Sequence, residues 1–333
     1  MASDITSTPV NTQQAATGRA IVRTLHGLYE MMVWTSTSSH YPICFGTSKT
    51  GSYTPKQQKA DVSGCLGAGP AFVPLPDGLS GYLIWVNSAK QINVSKAVSD
   101  GKTPANWSLS GKTTTIRSAA TGGPTAALQM QNGQLVLTVI WQDSGAGSMV
   151  YSQINPSSPS TSPAVARLAD SCLDAPSLVR LDSASFLAYT DTSGAFNLAV
   201  DPAGGVDFDF DHRFTTTAVG GKYGPAFVPL NRDQAYVFWG TGSGLSYQQM
   251  GINSDGDWQL NSYPGCSGTL TGIVPSAAPS AQVTNVVVDG VADRLILVAA
   301  PSAKASPANA VLVAGIVPNL TPLPLPQLQL VTS

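Results

Sequence analysis

The side chains best suited to binding chemistry form a repeated row of aromatic residues with two arginines nearby. Each aromatic ends a short apolar run, and the row comprises Trp34, Trp85, Trp141, Tyr189 and Trp239. Arg23 and Arg180 lie in two of the apolar runs that precede these. Tryptophan and tyrosine stack on the apolar face of a sugar ring, while arginine donates hydrogen bonds to its oxygens. These seven residues are candidate ligand-binding residues, although rings in such a row also pack between neighbouring sheets.

Carboxylates, which glycoside hydrolysis needs in convergent pairs, are scarce outside turn sequences. The chain has one glutamate, Glu30, and most of its eighteen aspartates lie in turns such as Pro76–Gly78. Glu30 directly follows Tyr29, and adjacent residues on a strand point to opposite faces, so the two side chains are poorly placed to cooperate. The sequence also has no Gly-x-Ser-x-Gly elbow before a helix. We therefore predict no catalytic residue and favour binding over catalysis.

The residues able to bind a metal lack the spacing of a metal site. Four cysteines are present, without metal-ligand spacing: Cys44, Cys65, Cys172 and Cys266. Cys44 and Cys65 would pair only in an oxidising compartment, and buried thiols are favoured. The densest polar cluster, Asp207–Phe214, alternates Asp with Phe and predicts a half-buried outer strand, with a divalent-cation site at His212 as the alternative. No metal and no cofactor are predicted.

A repeated unit must position these side chains. The heptapeptide Gly-Pro-Ala-Phe-Val-Pro-Leu occurs at residues 69–75 and again at 224–230, which lie 155 positions later. Similar units of four short strands begin near residues 19, 70, 124, 176, 225 and 279. Four strands in about fifty residues are typical of a propeller blade. We therefore predict an all-β fold, a single six-bladed β-propeller of four-stranded antiparallel blades over residues 1–333.

Two features of the repeat predict how the ring is built. A propeller closes when one terminus completes a blade begun by the other, and the candidate closing strands are Asp4–Thr8 and Leu328–Val331. Units two and five share the heptapeptide, while units one and four carry Arg23 and Arg180 at matching positions. We infer an ancestral half of three blades that was duplicated, so that blades one and four superpose better than blades one and two.

Two turns carry Ser-Asp-Gly followed by a tryptophan, at residues 99–101 with Trp107 and at residues 254–256 with Trp258. They resemble the Asp-box of sialidase-like propellers, a turn that folds a hairpin and packs its aromatic ring against the blade. The resemblance implies a structural role for Asp100 and Asp255, whose carboxylates would accept hydrogen bonds from backbone amides two residues on. Sialidases also bind a carboxylate with arginines and use a tyrosine activated by a glutamate.

The six repeats and the aromatic row also resemble the six-bladed fungal and bacterial lectins that lack a signal peptide. In the fucose-binding members, each site between blades combines an arginine and a glutamate with aromatic residues. This chain departs from that pattern, because its one glutamate cannot serve five or six sites. The resemblance therefore implies another sugar or another mode of binding.

Composition narrows the range of partners. Charged residues make up 11% of the chain, the formal net charge is −2, and no basic cluster is present, so nucleic-acid binding has no electrostatic driving force. No run of about eighteen apolar residues indicates a membrane span. The first residues lack the pattern of a secretory signal, and we expect a cytoplasmic or non-classically secreted protein.

The sequence thus favours a non-enzymatic, lectin-like propeller with several weak sites for a neutral or sialylated glycan. One alternative is a sialidase-like or other glycoside-acting enzyme that uses the central channel with Arg23, Arg180 and Glu30. Another is a protein-interaction scaffold.

Overall fold

In the computed structural model, the described residues form six antiparallel β-sheets. The structure describes residues 8–9, 21–25, 29–36, 40, 42–49, 56–65, 67–102, 106–116, 118–131, 133–145, 147–156, 163–216, 223–231, 233–262, 266–288, 291–303 and 311–316. Five sheets are continuous along the chain, and the sixth combines strands from its two ends. This architecture confirms the predicted all-β, six-bladed β-propeller with four-stranded antiparallel blades.

Each blade runs from an inner strand outwards, with strands numbered in chain order. The inner strands are β2 (Ile21–Leu25), β6 (Ala71–Pro74), β10 (Thr125–Gln131), β14 (Ser177–Leu181), β18 (Ala226–Pro229) and β23 (Ser280–Val288). The second strands are β3 (Tyr29–Thr35), β7 (Ser80–Val86), β11 (Gln134–Gln142), β15 (Ala184–Thr190), β19 (Gln234–Gly240) and β24 (Val291–Pro301). The third strands are β4 (Pro42–Lys49), β8 (Ile92–Ser99), β12 (Ser148–Ile154), β16 (Phe196–Asp201), β20 (Leu245–Ile252) and β25 (Val311–Ile316).

The outer strands vary most between blades. They are β5 (Lys56–Ser63), β9 (Trp107–Ile116), β13 (Ala166–Ser171), β17 (Phe214–Thr216), β21 (Trp258–Leu260) and, in blade six, β1 (Thr8–Pro9). In blade five a further strand, β22 (Ser267–Leu270), pairs with the other half of β20. The outer edge of that blade is thus split into two short segments.

Blade six is completed from the N-terminal side of the chain. Thr8 lies opposite Val313 and Pro9 opposite Leu312, so β1 forms the outer edge of this sheet. Proline is tolerated there because an outer edge needs no further hydrogen bonds. The other candidate closing strand, Leu328–Val331, lies outside the described residues.

The hydrophobic core lies between neighbouring blades. One buried cluster combines Ile84 and Val86 of blade two with Leu137 and Trp141 of blade three. Each inner strand contacts the next, and β23 contacts β2, so the inner strands form a closed ring around a channel. Hydroxyl groups join some of these strands: Thr125 Oγ1 accepts a hydrogen bond from the Leu178 amide at 2.9 Å. Because the inner edges are linked in this way, the blades hold one another in register.

Candidate ligand-binding groove between blades four and five

A groove of about 820 Å³ separates blades four and five on the side where the inner strands end. Its walls come from the β14–β15 turn and the end of β16 in blade four, and from the β20–β21 turn in blade five. The volume falls within the usual range for a small-ligand site. We call this space the blade 4/5 groove.

Aromatic rings form the apolar part of the blade 4/5 groove. Trp258 packs edge-to-face on Phe186, with ring centroids 5.8 Å apart, and on Phe227, with centroids 6.0 Å apart. These contacts fix the indole ring on both blades, and its remaining surface is partly exposed in the groove. Phe214 of β17 adds a second partly exposed ring. The groove therefore offers a fixed aromatic surface on which the apolar face of a ligand can stack.

Arg213 supplies a fixed cation at the wall of the blade 4/5 groove. Its Nε donates a hydrogen bond to Asn197 Oδ1 at 3.1 Å and lies 3.5 Å from Asp170 Oδ2. Its Nη1 donates to the carbonyl of Phe210. Because three groups hold the guanidinium, little side-chain entropy is lost when a remaining N–H group binds a ligand oxygen.

An exposed ion pair lies beside this arginine. His212 Nδ1 is 2.8 Å from Asp209 Oδ2, and 85% of the histidine side chain is exposed. The hydrogen bond and negative charge of Asp209 raise the pKa of His212 above its ordinary value. Conversely, hydrogen bonds from the His212 amide and ring lower the pKa of Asp209. Both side chains line the groove and therefore present paired hydrogen-bonding groups to it.

The segment that carries these groups corrects one sequence prediction. Asp207–Arg213 is a loop rather than the predicted outer strand, and β17 begins only at Phe214. The Asp209 carboxylate accepts hydrogen bonds from the amides of Asp211 and His212, which turns the backbone away from an extended course. The predicted alternation of burial is nevertheless present, since the three aspartates are exposed and Phe208 is buried. Among the described residues, no three His, Cys, Asp or Glu side chains are grouped to hold a metal ion.

The two Ser-Asp-Gly turns differ in how they are held. In the first, Asp100 Oδ1 accepts hydrogen bonds from the amides of Lys102 and Asn106, as predicted, and Gly101 has a φ of +68°. In the second, the predicted role of Asp255 is wrong. Asn253 Oδ1 accepts the hydrogen bonds from the amides of Asp255 and Asp257, both at 2.9 Å. The turn that places Trp258 is therefore an Asn turn that begins two residues earlier.

Most of the predicted aromatic row is buried between blades. Trp34, Trp141 and Tyr189 have no exposed surface and Trp85 is 2% exposed, whereas Trp239 is partly exposed. The Tyr189 hydroxyl donates to Asp170 Oδ2 at 2.5 Å, and burial raises its pKa above the ordinary value. A ring without exposed surface has no face to offer a sugar, so burial favours the packing role that the sequence left open for these four residues.

The two predicted arginines are not brought into the blade 4/5 groove. Arg180 lines the central channel instead, and its Nε donates to the Asp182 carbonyl at 3.3 Å. Arg23 lies on β2 of blade one, and its side chain, like those of Glu30 and Cys44, is outside the described residues. Of the other cysteines, Cys172 and Cys266 are buried. Where the structure describes the chain, no helix is long and apolar enough to cross a membrane.

Comparison with known proteins identifies the fold. No protein-family model and no curated protein sequence matches the chain. AofleA from Arthrobotrys oligospora matches with a TM-score of 0.64 at 10% identity, over 95% of this chain and 86% of that one. A six-bladed fungal lectin from Aleuria aurantia matches with a TM-score of 0.58 at 13% identity, over 93% and 99%. A sialidase from Trypanosoma rangeli gives 0.55 at 9% identity, over 90% and 54%. These matches confirm the predicted resemblance to lectin and sialidase propellers at the level of fold.

Proposed function

We propose that the protein is a carbohydrate-binding propeller whose principal glycan site is the blade 4/5 groove. The observation that carries the proposal is the partly exposed Trp258, fixed on two blades beside Arg213 and the Asp209–His212 pair. A sugar has one apolar face and a rim of hydroxyl groups, and this groove supplies an aromatic surface and a rim of polar groups. The fold is also that of the SapL1 lectin, solved with alpha methyl fucoside, at 10% identity and a TM-score of 0.59.

The charge of the groove favours a neutral glycan over a sialylated one. Four carboxylates line it: Asp182, Asp209, Asp233 and Asp257. Among the described residues that line the groove, the cationic side chains are Arg213 and His212, and Arg213 is already engaged by Asp170. An acidic sugar would therefore be repelled, whereas carboxylates accept hydrogen bonds from neutral hydroxyl groups.

The two related turns differ in whether their tryptophan is open to a ligand. Trp107 occupies the position in blade two that Trp258 occupies in blade five, but it is 1% exposed and packs edge-to-face on Phe72. The ring in blade two therefore has no surface for a ligand. We propose one principal site per chain, in contrast to the several equal sites that the repeats predict, and the stoichiometry of binding distinguishes the two.

A glycan array followed by calorimetry tests the proposal. We expect a neutral glycan to bind with a stoichiometry near one. Trp258→Leu should weaken binding roughly tenfold or more, because it removes the stacking surface. Asp257→Asn should weaken it less, and Asp255→Asn is the matched control, since Asp255 is exposed on the same turn but does not line the groove. The proposal is contradicted if the array shows no binding to any neutral or sialylated glycan. It is also contradicted if Asp257→Asn and Asp255→Asn lose the same amount of glycan affinity.

A further inference from the structure

The central channel adjoins the blade 4/5 groove. It forms a cavity of about 410 Å³ on the side where the inner strands end, which is also the side of the groove. Leu181, at the end of β14, lines both cavities. On the other side of the ring, the space between the starts of the inner strands is about 40 Å³. The channel is therefore a cup that opens beside the groove, and we call it the channel cup.

Apolar side chains from five blades present accessible surface to the channel cup. They lie on the inner strands of blades two to six and are partly exposed: Pro74, Leu128, Val179, Leu181, Pro229 and Val283.

The two polar side chains among the described residues of the channel cup offer it little. Gln282 Oε1 has essentially no accessible surface. The Arg180 guanidinium lies against Gly204, which does not line the cup. The described side chains of the cup therefore offer mostly apolar contact, and the part of a ligand that enters it must be apolar to replace water there favourably.

An apolar strip connects the channel cup with the aromatic rings of the groove. Val179 and Leu181 of the cup pack on the same hydrophobic cluster as Val200 and Trp258 of the groove. Trp258 also packs edge-to-face on Phe227, with ring centroids 6.0 Å apart, and Phe227 lines the cup. A substituent on a ligand that stacks on Trp258 therefore reaches the cup across apolar side chains.

We propose that the ligand of this protein is a neutral sugar linked to one short apolar group. The inference rests on the proposed glycan site: the sugar stacks on Trp258, and its apolar group passes over Leu181 into the channel cup. Burial of one methylene group raises affinity roughly fourfold, so two buried methylenes raise it more than about tenfold. The sugar selects the groove, and the apolar group supplies affinity that a free sugar lacks.

Paired methyl and octyl glycosides of glucose, galactose, mannose and fucose test the inference by calorimetry, below the concentration at which the octyl glycosides form micelles. For each sugar that binds, the octyl glycoside should bind at least about tenfold more tightly than the methyl glycoside. 1-Octanol carries the chain without the sugar. It should bind at least about tenfold more weakly than the octyl glycoside, because it has no ring to stack on Trp258.

Substitutions on one strand locate the octyl chain. Leu128→Asn places an amide in the wall of the channel cup. It should bring the affinity for the octyl glycoside close to that for the methyl glycoside and leave the latter unchanged. Met130→Asn is the matched control, since Met130 is 59% exposed on the same strand and does not line the cup. Val283→Asn makes the same change from blade six and replaces Leu128→Asn if that variant does not fold.

The outcomes separate this inference from the glycan site itself. Trp258→Leu should weaken methyl and octyl glycosides by the same factor, because both lose the stacking of the sugar. Equal affinity for methyl and octyl glycosides overturns the inference and leaves the glycan site intact. Equal loss in Leu128→Asn and Met130→Asn, or 1-octanol that binds as tightly as the octyl glycosides, also overturns it. If neither series of glycosides binds, the inference fails, and the glycan array alone decides the proposed function.

Discussion

At the scale of single residues, a carboxylate from blade three helps to hold Arg213 in place at the blade 4/5 groove. Asp170 lies on β13 of blade three and accepts a hydrogen bond from the Tyr189 hydroxyl of blade four. The same carboxylate lies 3.5 Å from Arg213 Nε at the wall of the blade 4/5 groove. Blades three and four are thus linked through one carboxylate, and the position of Arg213 depends on packing that is remote from the ligand.

Removal of the Tyr189 hydroxyl tests how much its hydrogen bond to Asp170 contributes to stability. Tyr189→Phe should lower the free energy of unfolding by about 1–2 kcal/mol, because the Asp170 carboxylate loses a partly buried hydrogen bond. Tyr82→Phe is the control, since Tyr82 is also buried and no described residue bonds to its hydroxyl. Urea unfolding of both variants checks the prediction. Equal changes in the two variants would show that the hydrogen bond contributes nothing measurable.

The Asp209–His212 pair predicts a pH dependence at the groove. The pKa of His212 is raised, so its contribution to stability is complete below the ordinary histidine value and is lost as pH rises through the folded value. The pKa of Asp209 is lowered, so its contribution is complete above the ordinary aspartate value and is lost as pH falls through the folded value. The Asp209–His212 ion pair is therefore intact at pH values between the lowered pKa of Asp209 and the raised pKa of His212.

An NMR titration of the His212 ring tests this pair, with His212→Asn to assign the signal among three histidines. Asp209→Asn should bring the pKa of His212 back towards the ordinary value near 6.5. An unchanged titration midpoint in Asp209→Asn would show that the two side chains do not interact in solution.

At the scale of elements, short turns decide where the groove side chains lie. Ala184 and Leu181 flank the β14–β15 turn, in which Asp182 adopts a φ of +54°. Across the groove, Asn253 closes the β20–β21 turn, and Gly256 has a φ of +90°. A left-handed conformation is cheap for glycine and tolerable for aspartate, so both walls have the residue types that their backbones require.

In the β20–β21 turn, Asn253 should contribute more to stability than Asp255, because Asn253 accepts the hydrogen bonds of the turn. Asn253→Ala should lower the free energy of unfolding by about 1 kcal/mol, because two backbone amides lose their acceptor. It should also weaken glycan binding, since Trp258 follows the turn directly. Asp255→Ala should change stability by less than about 0.5 kcal/mol. Chemical unfolding of both variants measures the difference, and a larger effect at Asp255 would restore the Asp-box interpretation of this turn.

The sequence predicted the strands of this protein better than its turns. Alternation of apolar and polar residues marks a strand, and the inner strands begin one residue after Pro70, Pro124 and Pro176. The same alternation in Asp207–Phe214 gave a wrong prediction. The Asp209 carboxylate accepts hydrogen bonds from the amides of Asp211 and His212, and these bonds compete with strand pairing without changing the sequence pattern. The role of Asn253 was equally hidden, since aspartate and asparagine form the same turn.

At the scale of the whole molecule, the repeats predict the ring but not the groove. Six similar units are enough to indicate six blades, because each blade buries its faces only against its neighbours. The groove joins Arg213 and Trp258, which lie 45 positions apart and belong to different units. In the sequence, Arg213 belongs to a charged cluster and Trp258 follows a turn. Only the ring geometry places them together, because a pattern within one unit carries no information on its neighbour.

The closure of the ring also explains the glycine that begins the second heptapeptide. An added Cβ at Gly224 would lie 1.9 Å from the carbonyl oxygen of Ala175, the residue at the corresponding position of blade four. Blades four and five therefore approach one another backbone to backbone at this point. Only glycine permits that distance, and a larger residue must push the two inner strands apart.

Gly224→Ala should accordingly lower the free energy of unfolding by more than about 2 kcal/mol, because neither backbone can move without disturbing the neighbouring blades. Gly242→Ala is the matched control: Gly242 lies in the exposed β19–β20 turn, where an added Cβ meets nothing within 4 Å. The control should be neutral or slightly stabilising, since alanine restricts the unfolded chain more than glycine does. Thermal and urea unfolding compare the two variants. If Gly224→Ala is as stable as Gly242→Ala, blades four and five do not meet as closely as the ring requires.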